Sequence, residues 1–362
     1  MNSFSLEDLG WAPFFEQHFE NLKEADWQPA RVIREDRERY QVLAADGEYA
    51  AEITGRLRHQ AQSRADFPAV GDWVALAPRP GERAGSIHAV LPRLTCFSRK
   101  AAGEEIVEQV LAANVDIALL VSALDHDFNP RRIERYLLAA TDSGANAVIV
   151  LNKADCCSDV PAAIRAVEAL ARQTPIHVVS AKTGAGLAEL RPYVGRGQTA
   201  VLLGSSGVGK STLLNALLDE DRQRTTEVRE HDQRGRHTTS HRELFHLPGG
   251  GILMDVPGLR ELTLWGGAEQ ISATFEDVEA LASSCRFGDC QHQQEPGCAV
   301  RAALENGTLD AGRLENYRKL QRELAHLERA QDLRAREAER QRWKQIAVAQ
   351  RKLKNERARW KL

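Results

Sequence analysis

Hydrophobic and polar positions change their period twice along the chain. Between Pro29 and about Pro92, short apolar runs alternate with turn sequences such as Asp46-Gly47. From about Val115, continuous apolar runs typical of buried parallel strands alternate with segments of helical period. After Leu262 the pattern is helical. The pattern therefore predicts an N-terminal arm (1–28), a barrel (29–97), an α/β domain (98–265), a helical domain (266–312) and a helical tail (313–362).

Five short runs of β-forming residues predict the barrel. Their spacing is typical of a small antiparallel barrel, and the oligonucleotide-binding (OB) type is the leading prediction. Such barrels bind single-stranded nucleic acid through basic and aromatic residues. The loop before Val70 could do so through Arg56, Arg58, His59 and Arg64, although a solvated loop on a scaffolding barrel explains these residues equally well. The runs are Ala30–Arg34, Arg39–Leu43, Tyr49–Thr54, Val70–Ala77 and Ser86–Leu91.

The middle of the chain predicts a parallel sheet with helices on both faces. The predicted strands are Val115–Leu124, Ala147–Leu151, Ile176–Ser180, Thr199–Leu203, His241–Leu247 and Ile252–Asp255. The predicted helices are Arg131–Ser143, Val160–Arg172, Leu187–Val194 and Gly209–Leu218. Ligands bind at the carboxyl ends of the strands in such sheets, so the segments that follow the strands are candidate site residues.

One strand runs directly into a glycine-rich loop and then a helix. The loop has the G-x-x-x-x-G-K-S spacing of a phosphate-binding P-loop, whose backbone N–H groups surround a polyphosphate. Lys210 then reaches the β- and γ-phosphates, and Ser211 binds Mg²⁺. The loop alone does not separate GTPases from ATPases and kinases. The predicted contacts are Gly204, Ser205, Ser206, Gly207, Val208, Gly209, Lys210, Ser211 and Thr212.

Two other strand ends carry residues suited to guanine. They are Asn152-Lys153-Ala154-Asp155 and Ser180-Ala181-Lys182. The Asp155 carboxylate can accept hydrogen bonds from guanine N1–H and the N2 amino group, a contact that adenine cannot return. The stem of Lys153 can lie over the base plane, and a backbone N–H of the second segment can meet guanine O6. These segments predict GTP as the substrate.

The expected triphosphate sensors come later in the chain. Asp255-Val256-Pro257-Gly258 has the D-x-x-G pattern, in which the Asp reaches Mg²⁺ through water and the Gly N–H bonds the γ-phosphate. Either Thr238 or Thr239 is expected to complete the Mg²⁺ shell. Ordinary GTPases carry these phosphate motifs before the guanine motifs, and here the order is reversed. A circular permutation preserves such a site because domain termini lie close together.

Hydrolysis also needs a group that positions water. Many GTPases place Gln directly after D-x-x-G, where this chain has Leu259. Intrinsic turnover is therefore expected to be slow, on the order of 10⁻⁴ s⁻¹. A partner or His237 is the hypothesised completion of the site.

Three of the six cysteines cluster with a histidine in the helical zone. Cys285, Cys290, His292 and Cys298 provide three thiolates and one imidazole. This is a complete tetrahedral set for Zn²⁺ with no position left for water, so it predicts one structural ion. Cys156 and Cys157, beside the guanine segment, are expected to fill space. Six cysteines in a chain of 362 residues do not indicate a disulfide scaffold.

Charge is unevenly distributed although the formal net charge is only −3. Residues 313–362 contain sixteen Lys and Arg but seven Asp and Glu. The basic tail either forms a solvated helix face or contacts RNA phosphate, which would make binding depend on salt. No window has the apolar length of a membrane span and the N-terminus lacks signal-peptide features, so a cytoplasmic protein without membrane partners is expected.

These motifs, in this order, resemble the circularly permuted GTPases called RsgA or YjeQ, the small ribosomal subunit biogenesis GTPases of bacteria. The resemblance covers about Pro29 to Val300 and includes Gly235-Arg236-His237-Thr238-Thr239 and the Cys/His motif. It implies an OB barrel, a permuted GTPase domain and a zinc domain. It also implies late maturation of the small (30S) subunit, with hydrolysis stimulated by that particle. Val256, where the family usually has Thr, departs from the pattern, and the arm and tail are too variable to transfer.

Two other functions remain as alternatives. A GTP-dependent signalling or scaffold protein would use the barrel and zinc domain to bind proteins rather than RNA. A P-loop ATPase or kinase is disfavoured by the guanine segment Asn152–Asp155. The leading prediction is a GTP hydrolase, monomeric when free, that binds the small ribosomal subunit and its rRNA.

Overall fold

A computed structural model describes residues 5–22, 24, 26–36, 39–100, 108–171, 173–219, 242–256, 268–327 and 329. The chain divides into two compact units. The first, up to residue 256 of the described part, contains a β-barrel and an α/β sheet. The second, from residue 268, is helical and contains the Cys/His cluster. The predicted fold class is confirmed, and the barrel and the α/β sheet share one unit.

Five strands close the N-terminal barrel. They pair in the order β1-β2-β3-β5-β4, and β1 also pairs with β4. Strands β3 and β5 run parallel, whereas the other neighbours are antiparallel. This arrangement confirms the predicted OB-type barrel. The strands are β1 (Gln28–Asp36), β2 (Arg39–Ala44), β3 (Gly47–Ile53), β4 (Trp73–Pro78) and β5 (Ala84–Val90).

A short helix occupies the segment that the sequence predicted as a loop. Helix α2 (Gly55–Gln60) begins after Thr54, whose hydroxyl accepts a hydrogen bond from the Leu57 N–H. With only six residues, it is too short for a helical period to be visible in the sequence. A 3₁₀ turn follows at Arg64–Asp66. The basic residues of this segment, Arg56, Arg58, His59 and Arg64, are all exposed.

Five parallel strands and one antiparallel strand form the α/β sheet. Their order is β10-β9-β8-β11-β13-β12, with the P-loop strand β11 between β8 and β13. Strand β12 is antiparallel to β13 because a tight turn, with Gly250 at φ +86°, joins them where a parallel crossover would need a dozen or more residues. The strands are β8 (Ile117–Ala123), β9 (Asn146–Asn152), β10 (Ile176–Val178), β11 (Thr199–Leu203), β12 (Arg242–His246) and β13 (Ile252–Asp255).

Helices of this sheet agree with the predicted positions except at one place. They are α3 (Pro130–Ser143), α4 (Val160–Ala171) and α5 (Lys210–Leu218). Asn129 caps α3, since its side chain accepts a hydrogen bond from the Arg131 N–H, and Gly144 ends it in a left-handed conformation. The predicted helix Leu187–Val194 is instead two 3₁₀ turns, Leu187–Glu189 and Arg191–Val194. Pro192 lacks the N–H that a continuous helix would require there.

Two connections between the barrel and the α/β sheet were not predicted. Strands β6 (Cys96–Lys100) and β7 (Glu108–Ala113) form a separate antiparallel pair. Strand β12 pairs with the end of β1, matching Glu243 to Arg34, so the barrel and the α/β sheet form one continuous sheet. Backbone hydrogen bonds therefore join the two parts directly.

A buried arginine strengthens this junction. Arg31, on β1, is 1% exposed, and its guanidinium donates to three backbone carbonyl oxygens: those of Gly71 (3.2 Å), Asn114 (2.9 Å) and Leu9. Burial lowers the pKa of Arg31 to about 10. Gly71 has φ +93°, and a Cβ there would lie 2.1 Å from the Ala113 carbonyl oxygen, so only glycine fits. Arg31 thus connects the arm, the barrel and the strand that precedes the α/β sheet.

The N-terminal arm packs on the barrel. Helix α1 (Pro13–Glu20) buries Phe15 and Phe19, and Trp11 lies 4.7 Å from the buried Trp73 ring of β4 in an edge-on contact. These aromatics, which show no clear period in the sequence, form a cluster with Leu9 and Leu91. The part of the arm that the structure describes is therefore a structural element of the first unit.

The second unit consists of short helices around the Cys/His cluster. They are α6 (Ala268–Thr274), α7 (Glu276–Ser283), α8 (Ala299–Glu305) and α9, described over residues 311–327. Leu314, Tyr317, Leu320 and Leu324 of α9 are buried. Arg313 forms a two-point ion pair with Asp277 of α7, with N–O distances of 2.6 and 2.7 Å. The start of the predicted tail is thereby joined to α7.

Candidate functional site

The predicted nucleotide loops converge at the carboxyl ends of the parallel strands. The P-loop follows β11, the guanine segments follow β9 and β10, and Asp255 ends β13. One close approach is between Gly209 and Asn152. A Cβ on Gly209, where φ is +93°, would lie 2.4 Å from Asn152 Nδ2. Glycine is therefore required where the P-loop passes the guanine segment.

Asn152 bridges the P-loop and the second guanine segment. Its side chain is 1% exposed, and Nδ2 donates to the Val208 carbonyl oxygen at 2.9 Å. Its Oδ1 accepts from the Ala181 N–H at 3.0 Å. Both the Nδ2 and the Oδ1 atoms of the Asn152 amide therefore form hydrogen bonds within the protein. The Ala181 N–H, one of the groups predicted to contact guanine O6, is bonded to Asn152. The residue holds three loops in register.

Asp155 presents an exposed carboxylate next to this bridge. The Ser180 hydroxyl donates to Oδ1 at 2.6 Å, which lowers the pKa of Asp155. Ser180 is itself oriented by the Thr183 N–H, which donates to its oxygen at 3.2 Å. The carboxylate is therefore ionised and aimed, as an acceptor of two guanine hydrogen bonds must be. Lys182, beside it, is also exposed.

The P-loop lysine lies within its own loop. Lys210 Nζ donates to the Gly204 carbonyl oxygen at 2.8 Å and to the Ser205 carbonyl oxygen at 2.7 Å. Ser211 and Thr212 stand in the first turn of α5, half exposed, where the positive end of the helix favours an anion. Asp255 is buried at the end of the neighbouring strand β13. This arrangement can receive a polyphosphate and its Mg²⁺.

Four predicted site residues lie outside the described residues: His237, Thr238, Thr239 and Gly258. The same holds for Leu259 and for most of the basic tail. Their roles stay predictions.

The sequence reading missed a residue that contacts the guanine segment. Lys153 Nζ lies 2.8 Å from Asp125 Oδ2, and the Asp127 N–H donates to Asp125 Oδ1 at 3.0 Å. Partial burial works to raise the pKa of Asp125, but these two donors outweigh it and the pKa is lowered. Asp125 follows strand β8 closely, so its position near a strand end was the signal that could have identified it.

The candidate metal centre brings four potential ligand atoms close together. The ligand atoms of Cys285, Cys290, His292 and Cys298 all lie within 4.8 Å of one another. The sulfurs of Cys285 and Cys298 are 3.8 Å apart, and His292 Nδ1 is 3.5 Å from each. Zn²⁺ bonds of about 2.3 Å to sulfur and about 2.0–2.1 Å to nitrogen require edges of about 3.8 and 3.6 Å. The donor set and its spacing therefore fit one zinc ion.

The backbone around these ligands is held by charged groups. Backbone hydrogen bonds, from its own N–H and from those of Gln291, Gln293 and Gln294, lower the pKa of Glu295 to about 2. Arg318 of α9 donates to the His292 carbonyl oxygen at 2.8 Å, and His292 itself has φ +58°. Such contacts orient ligands before a metal binds. The loop between Cys290 and Cys298 is thus organised by the protein.

The guanine segments lie beside a P-loop, and the P-loop strand comes after the guanine strands in the sequence. These two features define a P-loop guanine-nucleotide protein with permuted motifs. A family model described as RsgA GTPase matches residues 90–265. The small ribosomal subunit biogenesis GTPase RsgA of Opitutus terrae is 50% identical, over 98% of this chain and 100% of its own. The protein of the same name from Syntrophotalea carbinolica is 48% identical, over 94% and 96%. The chain belongs to the RsgA GTPase family, whose members are GTP-hydrolysing enzymes.

Solved structures agree with this assignment. YjeQ from Thermotoga maritima is 29% identical with a TM-score of 0.60, covering 83% of this chain and 99% of that one. YloQ, described as a circularly permuted GTPase, has a TM-score of 0.58 over 84% of this chain and 97% of its own, and at 24% identity it supports the fold. None of the helices in the described ranges combines the length and apolarity needed to span a membrane.

Proposed function

We propose that this protein is a cytoplasmic GTPase that binds the small ribosomal subunit and assists its late maturation. The proposal rests on one observation: the chain aligns over nearly its full length with proteins named for small ribosomal subunit biogenesis. One of them is 50% identical over its whole length. The convergence of the guanine and phosphate loops on one sheet edge supports the GTPase part of it. In this proposal the protein is a monomer when free.

The residues divide the nucleotide between two groups of contacts. Asp155 accepts the two hydrogen bonds of the guanine edge, and its depressed pKa keeps it ionised across the physiological range. The P-loop N–H groups and Lys210 bind the phosphates, replacing the carbonyl contacts that Lys210 makes in the structure. Ser211 and Asp255 would hold Mg²⁺, one directly and one through water, with Thr238 or Thr239 completing its shell. Mg²⁺ supplies charge neutralisation on the transferring phosphoryl group.

Hydrolysis in this proposal waits for the ribosomal particle. Leu259 cannot orient the attacking water, so the free protein turns over slowly. His237, or a group supplied by the particle, positions that water. The Gly258 N–H bonds the γ-phosphate, which links the state of the nucleotide to the segment leading into the second unit.

The metal centre has a structural role in this proposal. Three thiolates and one imidazole leave no position for a substrate or water. A bound Zn²⁺ fixes the loop between α7 and α8, in which Cys298 also caps α8 by accepting the Arg301 N–H at 3.4 Å. Loss of the ion would therefore release two helices of the second unit rather than stop chemistry directly.

The proposed rRNA contact on the barrel is the exposed face of α2 and the turn after it. Arg56, Arg58, His59 and Arg64 lie there within ten residues. Clustered basic side chains on an OB barrel favour binding to the phosphate backbone of a nucleic acid. Replacing Arg56 and Arg64 by Glu should weaken binding to small subunits and reduce its salt dependence, because two phosphate contacts are lost. Replacing the exposed Arg165 of α4 and Arg191 by Glu changes the net charge by the same amount and is the control.

Turnover and binding test the whole proposal. GTP hydrolysis is measured with and without purified small subunits, and co-sedimentation is compared between a non-hydrolysable GTP analogue and GDP. We expect slow hydrolysis alone, a large increase with small subunits but not with large subunits, and tighter binding with the analogue. Fast hydrolysis without the particle, or equal effects of the two subunits, would refute it.

A further inference from the structure

A continuous series of hydrogen bonds and ion pairs connects the two candidate lysines of the nucleotide site. It begins at Lys153 in the guanine segment, passes through the loop between β8 and α3, and ends at Lys210 in the P-loop. Of the residues that link the two lysines, Ser205 belongs to the P-loop motif and the others belong to no nucleotide motif. The connecting residues are Asp125, Asp127, Arg132 and Ser205.

The first part of the series is an acidic loop held by the guanine-segment lysine. Lys153 Nζ is 2.8 Å from Asp125 Oδ2, and Asp125 Oδ1 accepts the Asp127 N–H at 3.0 Å. One carboxylate therefore receives both the lysine and the backbone of the next acidic residue. The side chain of Asp125 is 19% exposed, so this contact is partly shielded from solvent.

The second part of the series connects the acidic loop to the P-loop through Arg132. The Asp127 carboxylate pairs through both oxygens with the Arg132 guanidinium. Arg132 Nη1 also donates to Ser205 Oγ at 3.2 Å, and the Tyr136 hydroxyl lies 3.2 Å from the same oxygen. Arg132 and Tyr136 are four residues apart on α3, so one face of that helix holds Ser205 with two polar groups.

The third part reaches the phosphate lysine through the backbone. The carbonyl oxygen of Ser205 accepts Lys210 Nζ at 2.7 Å. Ser205 is thus held through its side chain by α3 and holds Lys210 through its main chain. We propose that Asp125, Asp127 and Arg132 are positioning residues that set Ser205 and the P-loop backbone relative to the guanine segment. The inference deepens the proposed function and rests on the nucleotide site described above.

This role differs from that of an ordinary surface ion pair. The Arg132 and Asp127 side chains are 38% and 49% exposed, and pairs of that kind contribute little to folding stability. Their location matters because each end of the series belongs to a loop that contacts nucleotide. Breaking the series should therefore leave the folded protein intact and weaken nucleotide binding, since both loops must be in place at once.

The test measures the affinity for a fluorescent GDP analogue by titration, together with thermal unfolding without nucleotide. Arg132→Ala should weaken binding about 2- to 10-fold, the usual effect of losing one ordinary hydrogen bond in a partly exposed site. Arg132→Lys keeps the charge but not the two-armed geometry, and should recover part of the loss. Arg165→Ala, an exposed arginine on α4, is the matched control and should bind as the unmodified protein does.

A double-variant cycle separates positioning from simple loss of structure. Asp125→Ala and Arg132→Ala interrupt the same series, so their combined effect on GDP affinity should be close to that of the larger single effect. Additive effects, or an Arg132→Ala variant that binds GDP like the unmodified protein, would overturn the inference while leaving the proposed function intact. If the unmodified protein fails to bind GDP, the proposed function itself is wrong.

Discussion

Asn152→Asp changes one atom pair of the bridge between the loops. Aspartate has nearly the same shape, and its oxygen can still accept the Ala181 N–H, which is 3.0 Å from Oδ1 in the structure. The other side-chain atom becomes an oxygen facing the Val208 carbonyl oxygen, where Nδ2 now donates at 2.9 Å. The variant therefore removes the P-loop contact and keeps the contact to the second guanine segment.

The magnitude follows from the burial of this contact. Asn152 is 1% exposed, so water cannot replace the lost donor. A buried polar group left without its partner costs about 1–3 kcal/mol, and a buried charge adds to that cost. Because the bond orders the P-loop beside the guanine segment, most of this cost should appear in nucleotide affinity. At about 1.4 kcal/mol for each factor of ten, GDP binding should weaken roughly 5- to 150-fold.

Calorimetric titration with GDP measures this effect, and circular dichroism confirms that the variant is folded. Asn146→Asp is the matched control, because Asn146 is exposed at the opposite end of the same strand, β9. The control should bind within a factor of about two of the unmodified protein, as exposed substitutions away from a site do. A folded Asn152→Asp variant that binds GDP as tightly as the control would show that the Asn152 bridge does not order the site.

Three further outcomes can be checked independently. Cys290→Ala should reduce the zinc content of chelator-treated protein from about one ion per chain to almost none, whereas Cys96→Ala, on β6, should retain it; equal zinc in both would contradict the assignment. Asp155→Asn should change the ratio of guanine- to xanthine-nucleotide affinity by at least about 100-fold in favour of xanthine, measured by competition, since an amide can donate to the 2-oxo group of xanthine. An unchanged ratio would exclude Asp155 as the residue that recognises the base. Arg31→Met should lower the free energy of unfolding by about 2 kcal/mol or more in denaturant titration, because it removes the donor of the buried Leu9 and Asn114 carbonyl groups, whereas Gly71 keeps a donor in Asn114 Nδ2. A change below about 1 kcal/mol would contradict the role of Arg31 in the junction.

Local signals in the sequence were sufficient to predict most helices and strands and the candidate nucleotide-binding loops. Strand β11 and helix α5 occur where the apolar run and the P-loop predicted them, within one residue. The five barrel strands were likewise predicted from short runs and turns. The segment α2 was missed because a six-residue helix shows no period, and β6 and β7 were missed because their short runs resemble a linker.

The Cys/His motif was also readable in advance because its four residues lie within fourteen positions. Tight turns such as that at Gly297, where φ is +75°, bring such close neighbours together without help from distant parts of the chain. The structure adds the proximity of the four ligand atoms, all within 4.8 Å of one another, and the contact from Arg318 to the His292 carbonyl oxygen. The metal itself remains a prediction to be tested by analysis.

The sequence by itself determined which functional groups this protein contains and which short segments carry them. The reason is that the P-loop, guanine and metal-ligand motifs are contiguous and depend on local backbone geometry. Only the tertiary structure decided how those segments are joined. The pairing of β12 with β1, the Arg31 junction, the Asn152 bridge and the series from Asp125 to Ser205 all connect residues far apart in the chain. Such contacts depend on sheet order and loop packing, which no local pattern of residues encodes.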